Sequence, residues 1–163
     1  MPKISKISSC LRLVKLKKTI VDNKNDLEKL VNFVYSYFTK IEKKKISLER
    51  IKDGILKNLK NHRHVYFFIL WDNYPIGMLH LFLGEKFTDL CLIYLEKEFR
   101  RKGLGSFVFN LLKNFLEENR LTKKPLCIEI NKNNKASQRF FSKMGAKLES
   151  VIYFYQLSSK NNI

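Results

Sequence analysis

Three cations and two glycines within six residues, Arg100-Arg101-Lys102-Gly103-Leu104-Gly105, make the stretch with the most chemistry in it. A glycine-rich turn that opens a helix aims several free backbone N–H groups at one place, and the helix dipole adds positive character there. Glycine also lets the backbone come close to a ligand. The expected guest is a phosphate or diphosphate. A tight strand-to-helix turn with solvated cations uses the same residues, so the motif gains weight only from the elements that hold it.

Those elements are legible on both sides. Leu90 to Leu95 (LCLIYL) is apolar and partly β-branched, the pattern of a strand buried on both faces. Beyond the loop, Leu104, Phe107, Val108, Leu111, Leu112 and Phe115 recur at helical spacing, with Lys113, Asn114 and Glu117 elsewhere on the wheel. Further on, a strand over Leu126 to Ile130 meets a polar break, Asn131 to Asn134. A short helix follows over Ala136 to Met144, with Gly145 as its C′ residue.

Together these stretches resemble the two signatures of the GNAT superfamily of N-acetyltransferases. Arg100 to Gly105 is similar to the family's R/Q-x-x-G-x-G/A loop. Glu129 to Ala146 (EINKNNKASQRFFSKMGA) looks like its strand, N-x-x-S or N-x-x-A, and helix. The resemblance runs from about Tyr66 to Leu157. It implies a GNAT fold, α/β with a mixed central sheet of six to seven strands and about four helices. It also implies acetyl-CoA as co-substrate and acetyl transfer to a primary amine of a small molecule or protein. The pyrophosphate would lie on Arg100, Arg101, Lys102, Gly103, Leu104, Gly105 and Ser106. The pantetheine arm would run along the backbone of Ile93, Tyr94 and Leu95, between two strands that splay apart. Asn134 would touch that arm or an ordered water, cap its own helix, or do both.

Phe141 departs from the family pattern, because many members carry a tyrosine there that protonates the leaving thiolate. A phenylalanine can pack on the cofactor but has no proton to give. Tyr153, Tyr155 or water would then supply one, or the thiolate would leave unassisted. Phe141 is also the one hint of a rival reading, a GNAT-fold protein that binds coenzyme A without catalysis.

Acetyl transfer needs a neutral amine, so a base or a water chain must take its proton. Asp89, at the start of the central strand, is the first candidate, and Glu129, just before the second signature, is the next. Both residues also fit the plainer role of strand positions facing water. Glu85, in a turn, is weaker.

The rest of the chain follows in order. Leu11, Leu13 and Leu16 suggest a first strand, LRLVKLK. Asp22 to Asn25 is a capping cluster before a helix with Leu27, Leu30, Val31, Val34, Tyr37, Phe38 and Ile41 on one stripe. Lys43-Lys44-Lys45 reads as a solvated loop. Ser47 can cap a second helix carrying Leu48, Ile51, Ile55, Leu56 and Leu59. A hairpin, His64–Trp71 and Pro75–Leu83, leads into the central strand from Phe87, and Leu148 to Leu157 reads as a last strand. The order mixes hairpins with βα units, which calls for a mixed sheet covered by helices on both sides.

At 163 residues and 45% hydrophobic content, one globular domain over 1–163 is expected. The formal net charge of +17 rests on 25 lysines against 7 arginines. Lysines spread along the whole chain fit solvated faces better than a nucleic-acid surface, which leans on arginine geometry. A basic nucleic-acid-binding module is therefore the third reading, carried by charge alone. Coenzyme A, a polyanion, would be drawn by the same field. Cys10, Cys91 and Cys127 have no metal-ligand spacing, and Cys91 and Cys127 read as small buried core residues. His62 and His64 lack a third ligand, so no metal is expected. The N-terminus is too charged for a signal peptide, and the longest apolar run, Val65 to Trp71, is too short to span a membrane. A reducing, cytoplasmic setting follows as the default, with no membrane partner and room for a homodimer.

Overall fold

The computed structural model describes residues 10–147. The sheet among them has five strands in sequence order, β1 (Leu11–Lys15), β2 (His64–Trp71), β3 (Tyr74–Leu83), β4 (Thr88–Leu95) and β5 (Leu126–Cys127). All neighbours are antiparallel except β4 and β5. The β2–β3 turn is made by Asp72 and Asn73, at φ 47° and 69°. Two such left-handed residues give the twist that a two-residue hairpin needs.

Four helices complete the described fold: α1 (Lys24–Ser36), α2 (Leu48–Lys60), α3 (Leu104–Glu118) and α4 (Lys135–Lys143). Three begin at side-chain caps. Asn23, Ser47 and Asn134 accept the backbone N–H of Asp26, Arg50 and Ser137, each satisfying a donor that the first turn leaves free. At the end of α4, Gly145 sits at φ 90° and Ala146 N–H returns to the Phe141 carbonyl, which closes the helix.

Each sheet face buries its own apolar cluster. On one, Val65, Phe67, Ile69, Leu79, Leu81 and Leu90 pack against Leu104, Val108 and Leu112 of α3 and Phe141 of α4. On the other, Tyr66, Phe68, Met78, Leu92 and Tyr94 pack against Leu27, Leu30, Phe33 and Val34 of α1 and Ile51 and Ile55 of α2.

Strand β4 changes faces partway along. Leu81 pairs with Leu90 and His80 with Leu92, so Cys91 has no partner across β3. This extra residue is a β-bulge, and it reverses the alternation. Leu90 belongs to the α3 face, whereas Leu92 and Tyr94 belong to the α1 face. Cys91 is turned outward and exposed, and Cys127 is only half-buried. The expectation that both are buried core residues is therefore corrected. The bulge expels the first, and β5 ends at the second.

Other boundaries shift for local reasons. Strand β5 is Leu126–Cys127 rather than Leu126–Ile130, because its ladder with β4 stops after two pairs. Beyond Ser36 the first helix widens into a π-helical turn, Tyr37–Ile41. The expected last strand, Leu148 to Leu157, with Tyr153 and Tyr155, lies outside the described residues, so the sheet counts five strands here rather than six or seven.

One polar group sits inside the α1 face. His80, 9% exposed, stacks on Tyr66 at 4.0 Å and its Nε2 lies 2.9 Å from His64 Nδ1. Burial, and then His64, lower the His80 pKa to about 3. Unfolded, the ring takes up a proton below about pH 6.5; folded, it refuses one until far lower. This pair therefore removes stability as pH falls from 6.5 towards 3, by up to about 1.4 kcal/mol per pH unit. Urea unfolding between pH 7 and pH 4.5 should show a steeper loss for the natural chain than for His80→Leu, whatever their difference at pH 7. Equal slopes would mean that His80 titrates normally in the folded state.

Candidate active site

The site begins where β4 and β5 part. Thr88 pairs with Leu126 and Asp89 with Cys127, and then the ladder ends. From there the two segments bound a narrow cleft, with Leu90 to Ile93 on one wall and residues 128–131 on the other. Asn134, Ser137 and Phe141 of α4 and Tyr37 and Glu42 from the end of the first helix complete its lining.

The basic loop opens at the end of β4. Arg101 and Gly103 both have left-handed backbones, φ 57° and 79°, in a segment that otherwise turns normally. Left-handed residues set into such a turn bring successive N–H groups to one concave side, an anion-binding arrangement. Among the described residues, the backbone N–H groups of 101–105 donate to no carbonyl, and the next bond back is Ser106 N–H to the Gly103 carbonyl at 3.1 Å. Gly103 is also the N-terminal cap of α3, so the helix dipole is directed at the same place. Arg101 and Lys102 are exposed beside it.

The loop is tied to its strand. Arg100 Nε donates to the Leu95 carbonyl at 2.7 Å, and its guanidinium lies 5.0 Å from the Tyr94 ring centre. The Leu95 carbonyl, expected to face an incoming cofactor arm, thus already serves to hold the loop. The two glycines have different reasons. Gly103 needs its positive φ, and a Cβ there would meet nothing within 4 Å. At Gly105 a Cβ would come within 3.2 Å of the Phe140 ring, so this glycine lets α4 pack on the first turn of α3. Gly77 is tighter still, since its Cβ would collide with the Tyr94 carbonyl oxygen. That close approach fixes β3 against the end of β4.

Phe141 is 4% exposed and packs edge-to-face with Phe109 and Phe140, at 5.8 and 4.9 Å, while also lining the cleft. It is both core and cleft wall. Asn134 combines two roles in the same way, because its Oδ1 caps α4 and the residue borders the cleft.

Glu42 and Glu129 line the cleft, and Asp89 lies in the last ladder pair before it opens. Burial first, and then the Glu129 charge, raise the Asp89 pKa. Burial, Glu42, the hydrogen bond to Glu42 and then Glu129 raise that of Tyr37. The two strand carboxylates named from the sequence are therefore close enough to feel each other, and Glu129 also reaches Tyr37. Loss of solvent around the sulfur, then Asp89, push the Cys91 thiol up to about 11. A thiol so held is not a nucleophile near neutral pH.

The sequence did not single out Tyr37 and Glu42 as site residues. Tyr37 read as one more member of an apolar helical stripe, and Glu42 precedes three lysines. Only the π-helical turn brings both to the cleft, and single-turn π segments often sit at functional sites.

Comparison with known proteins agrees with this geometry. The family model described as the acetyltransferase (GNAT) family matches residues 27–146. No match is found among curated proteins. A possible acetyltransferase from Clostridium difficile 630 is 16% identical over 92% of this chain and 99% of that chain, with a TM-score of 0.71. An aminoglycoside acetyltransferase from an uncultured soil metagenomic sample, solved with trehalose, is 19% identical over 93% and 99%, with a TM-score of 0.70. The PaiA N-acetyltransferase from Thermoplasma acidophilum, solved with coenzyme A, is 18% identical over 87% and 92%, with a TM-score of 0.67. At these identities the likeness is one of fold.

The proximity of the two strand carboxylates can be measured directly. Glu129→Gln removes a negative neighbour, so Asp89 should lose its proton more readily and its pKa should fall. Carbon-detected NMR titration of the Asp89 carboxyl would read the shift. An unchanged or higher value would place Glu129 out of range of Asp89.

Proposed function

The chain belongs to the acetyltransferase (GNAT) family, and on that footing we propose that it moves an acetyl group from acetyl-CoA to a primary amine. The observation that carries this reading is the run of unspent backbone N–H groups over 101–105, placed at the end of the strand whose separation from β5 opens the cleft. A diphosphate would take those donors, with Arg101 and Lys102 beside them and Ser106 at the first turn of α3. The strand edge over Ile93 and Tyr94 offers backbone partners for an extended arm. Asn134 and Phe141 lie further along the same cleft.

Acetyl-CoA supplies the activated acyl group as a thioester, so the chain's own tasks are positioning and proton handling. The acceptor must approach as a free amine. Asp89 sits in the last pair of the β4–β5 ladder, where the cleft begins, within range of the Glu129 charge, and its raised pKa suits it to accept a proton. As the new C–N bond forms and the C–S bond breaks, the amine's proton leaves for this pair, directly or through water. The sulfur also needs a proton. Phe141 cannot give one, so this reading assigns the step to water or to Tyr153 or Tyr155, which lie outside the described residues.

Two substitutions test the two halves of this reading. Gly103→Asp sets a carboxylate among the loop donors, where a Cβ has room. Coenzyme A affinity by isothermal titration should fall by more than about tenfold through charge repulsion at the helix start. Gly103→Asn, which tolerates the same backbone without the charge, should keep most of it. Equal affinity in both variants would remove the loop from the cofactor site. Asp89→Asn should lower kcat more than about tenfold at neutral pH, with coenzyme A affinity nearly unchanged. The deficit should shrink as pH rises, because more of the amine is then neutral unaided. A rate equal to the natural chain's would pass the role to Glu129 or to water.

A further inference from the structure

The cations of this chain are spread along its whole length, but its carboxylates are not. Residues 99–116 and 130–147 carry nine lysines and arginines between them and not one aspartate or glutamate, in a chain with 15 carboxylates. The first stretch holds the basic loop and most of α3, and the second holds α4 and the turn before it. The two are also neighbours in space, because the Phe140 ring of α4 packs against Gly105.

On α4 the cations form a row. Lys135, Arg139 and Lys143 are spaced four residues apart, so they share one stripe about 12 Å long. All three are exposed, and their stripe lies opposite Phe141, the residue that α4 buries. The ion pairs among the described residues, Lys24–Glu28 and Arg63–Glu85, involve none of them. Lys135 Nζ donates to Gln138 Oε1 at 3.3 Å, a neutral acceptor. Like charges at this spacing repel and weaken a helix. The stability of α4 therefore does not account for the row.

Resting on the acyl-transfer reading, we propose that this face docks an acidic carrier protein that bears the acyl group on a phosphopantetheine arm. Such a partner presents the same thioester and the same extended arm as acetyl-CoA, so the cleft between β4 and residues 128–131 serves either donor. The difference lies outside the cleft. A free nucleotide brings its charge as a few phosphates near the loop. A carrier brings one phosphate and a surface of carboxylates, and a row of cations two turns long matches one face of an acidic helix. Nucleic acid is the weaker fit, because its phosphates run far beyond about 12 Å and the row has a single arginine. The net charge of +17 speeds the encounter with an acidic protein. The chemistry is unchanged. The acyl C–S bond breaks as the C–N bond forms, the amine's proton leaves for Asp89 or water, and the carrier's sulfur takes a proton back.

Isothermal titration tests this with an acetyl-loaded acyl carrier protein, the same carrier without its arm, and coenzyme A. The natural chain should bind the loaded carrier, and the arm-free carrier at least about fivefold more weakly. Reversing the row, with Lys135→Glu, Arg139→Glu and Lys143→Glu together, should weaken the loaded carrier by more than about tenfold and coenzyme A by less than about twofold. Lys135→Gln, Arg139→Gln and Lys143→Gln together should give a smaller loss in the same order. This neutral variant carries the test if the reversed chain fails to melt cooperatively. Added salt should shrink the difference between the natural chain and the neutral variant. The proposal is overturned by equal losses for carrier and coenzyme A, which would put the row in the coenzyme's own site. It is also overturned by a natural chain that binds coenzyme A but no carrier, by loaded and arm-free carriers that bind alike, or by an RNA duplex that binds through the row more tightly than the carrier. If the natural chain binds the loaded carrier through the row but no coenzyme A, acetyl-CoA falls as the donor and the docking face stands.

Discussion

Everything in the candidate site depends on one failure of pairing. Parallel strands β4 and β5 share two register pairs and then separate, next to the bulge at Cys91. A bulge adds twist and interrupts the ladder. Here it also decides which residues face which layer. Leu90 stays with the α3 cluster, while Leu92 and Tyr94 turn towards α1. Strand ends that part inside a sheet expose backbone groups that would be costly to bury unpaired. The cleft they leave is a place where an extended ligand can act as the missing strand, with helices closing the faces.

Groups of opposite charge surround that cleft. In the loop after β4, Arg101 and Lys102 flank backbone N–H groups that, among the described residues, donate to no carbonyl. Nearer the strands, burial and then the Glu129 charge raise the Asp89 pKa, and Tyr37 donates to Glu42. In a chain so rich in lysine, the basic groups need no special design and the acidic ones do. Lysines are close by in sequence, but among the described residues Glu42 is held by hydrogen bonds from Tyr37 and Asn131 rather than by an ion pair. Neutral donors hold a charge in place without neutralising it.

Much of this was readable in the residues. The spacing of Leu104, Val108 and Leu112 located α3, and the loop before it stood out by its glycines and cations. The helix caps at Asn23, Ser47 and Asn134 lay within or at the expected capping stretches, since a cap is a local bargain between one side chain and one turn. What stayed hidden was non-local. The bulge at Cys91 has no signature in LCLIYL, where uninterrupted apolar residues fit either face, so Cys91 read as core and proved exposed. β5 read as longer than it is because apolar residues continue to Ile130, while a strand's length depends on whether a neighbour is there to pair. Glu42 was invisible for a similar reason. A π-helical turn changes the period of a helix by one residue, and a pattern search at 3.6 residues per turn passes over it.

The loop and the far wall are also mechanically linked through one absent methyl group. Gly105 opens α3, and its bare Cα lets the Phe140 ring approach to where a Cβ would be 3.2 Å away. Phe140 packs on Phe141, Phe141 on Phe109 of α3, and Phe141 lines the cleft. The residue that ends the basic loop therefore also sets how closely α4 can lie against α3, and with it the position of Phe141 and of the Asn134 cap. A side chain at 105 would push α4 outward and widen the cleft at the same time as it crowded the loop. Basic loop and cleft wall are in this sense one packed unit. Two glycines close together in sequence thus answer to different forces, backbone conformation at 103 and helix packing at 105.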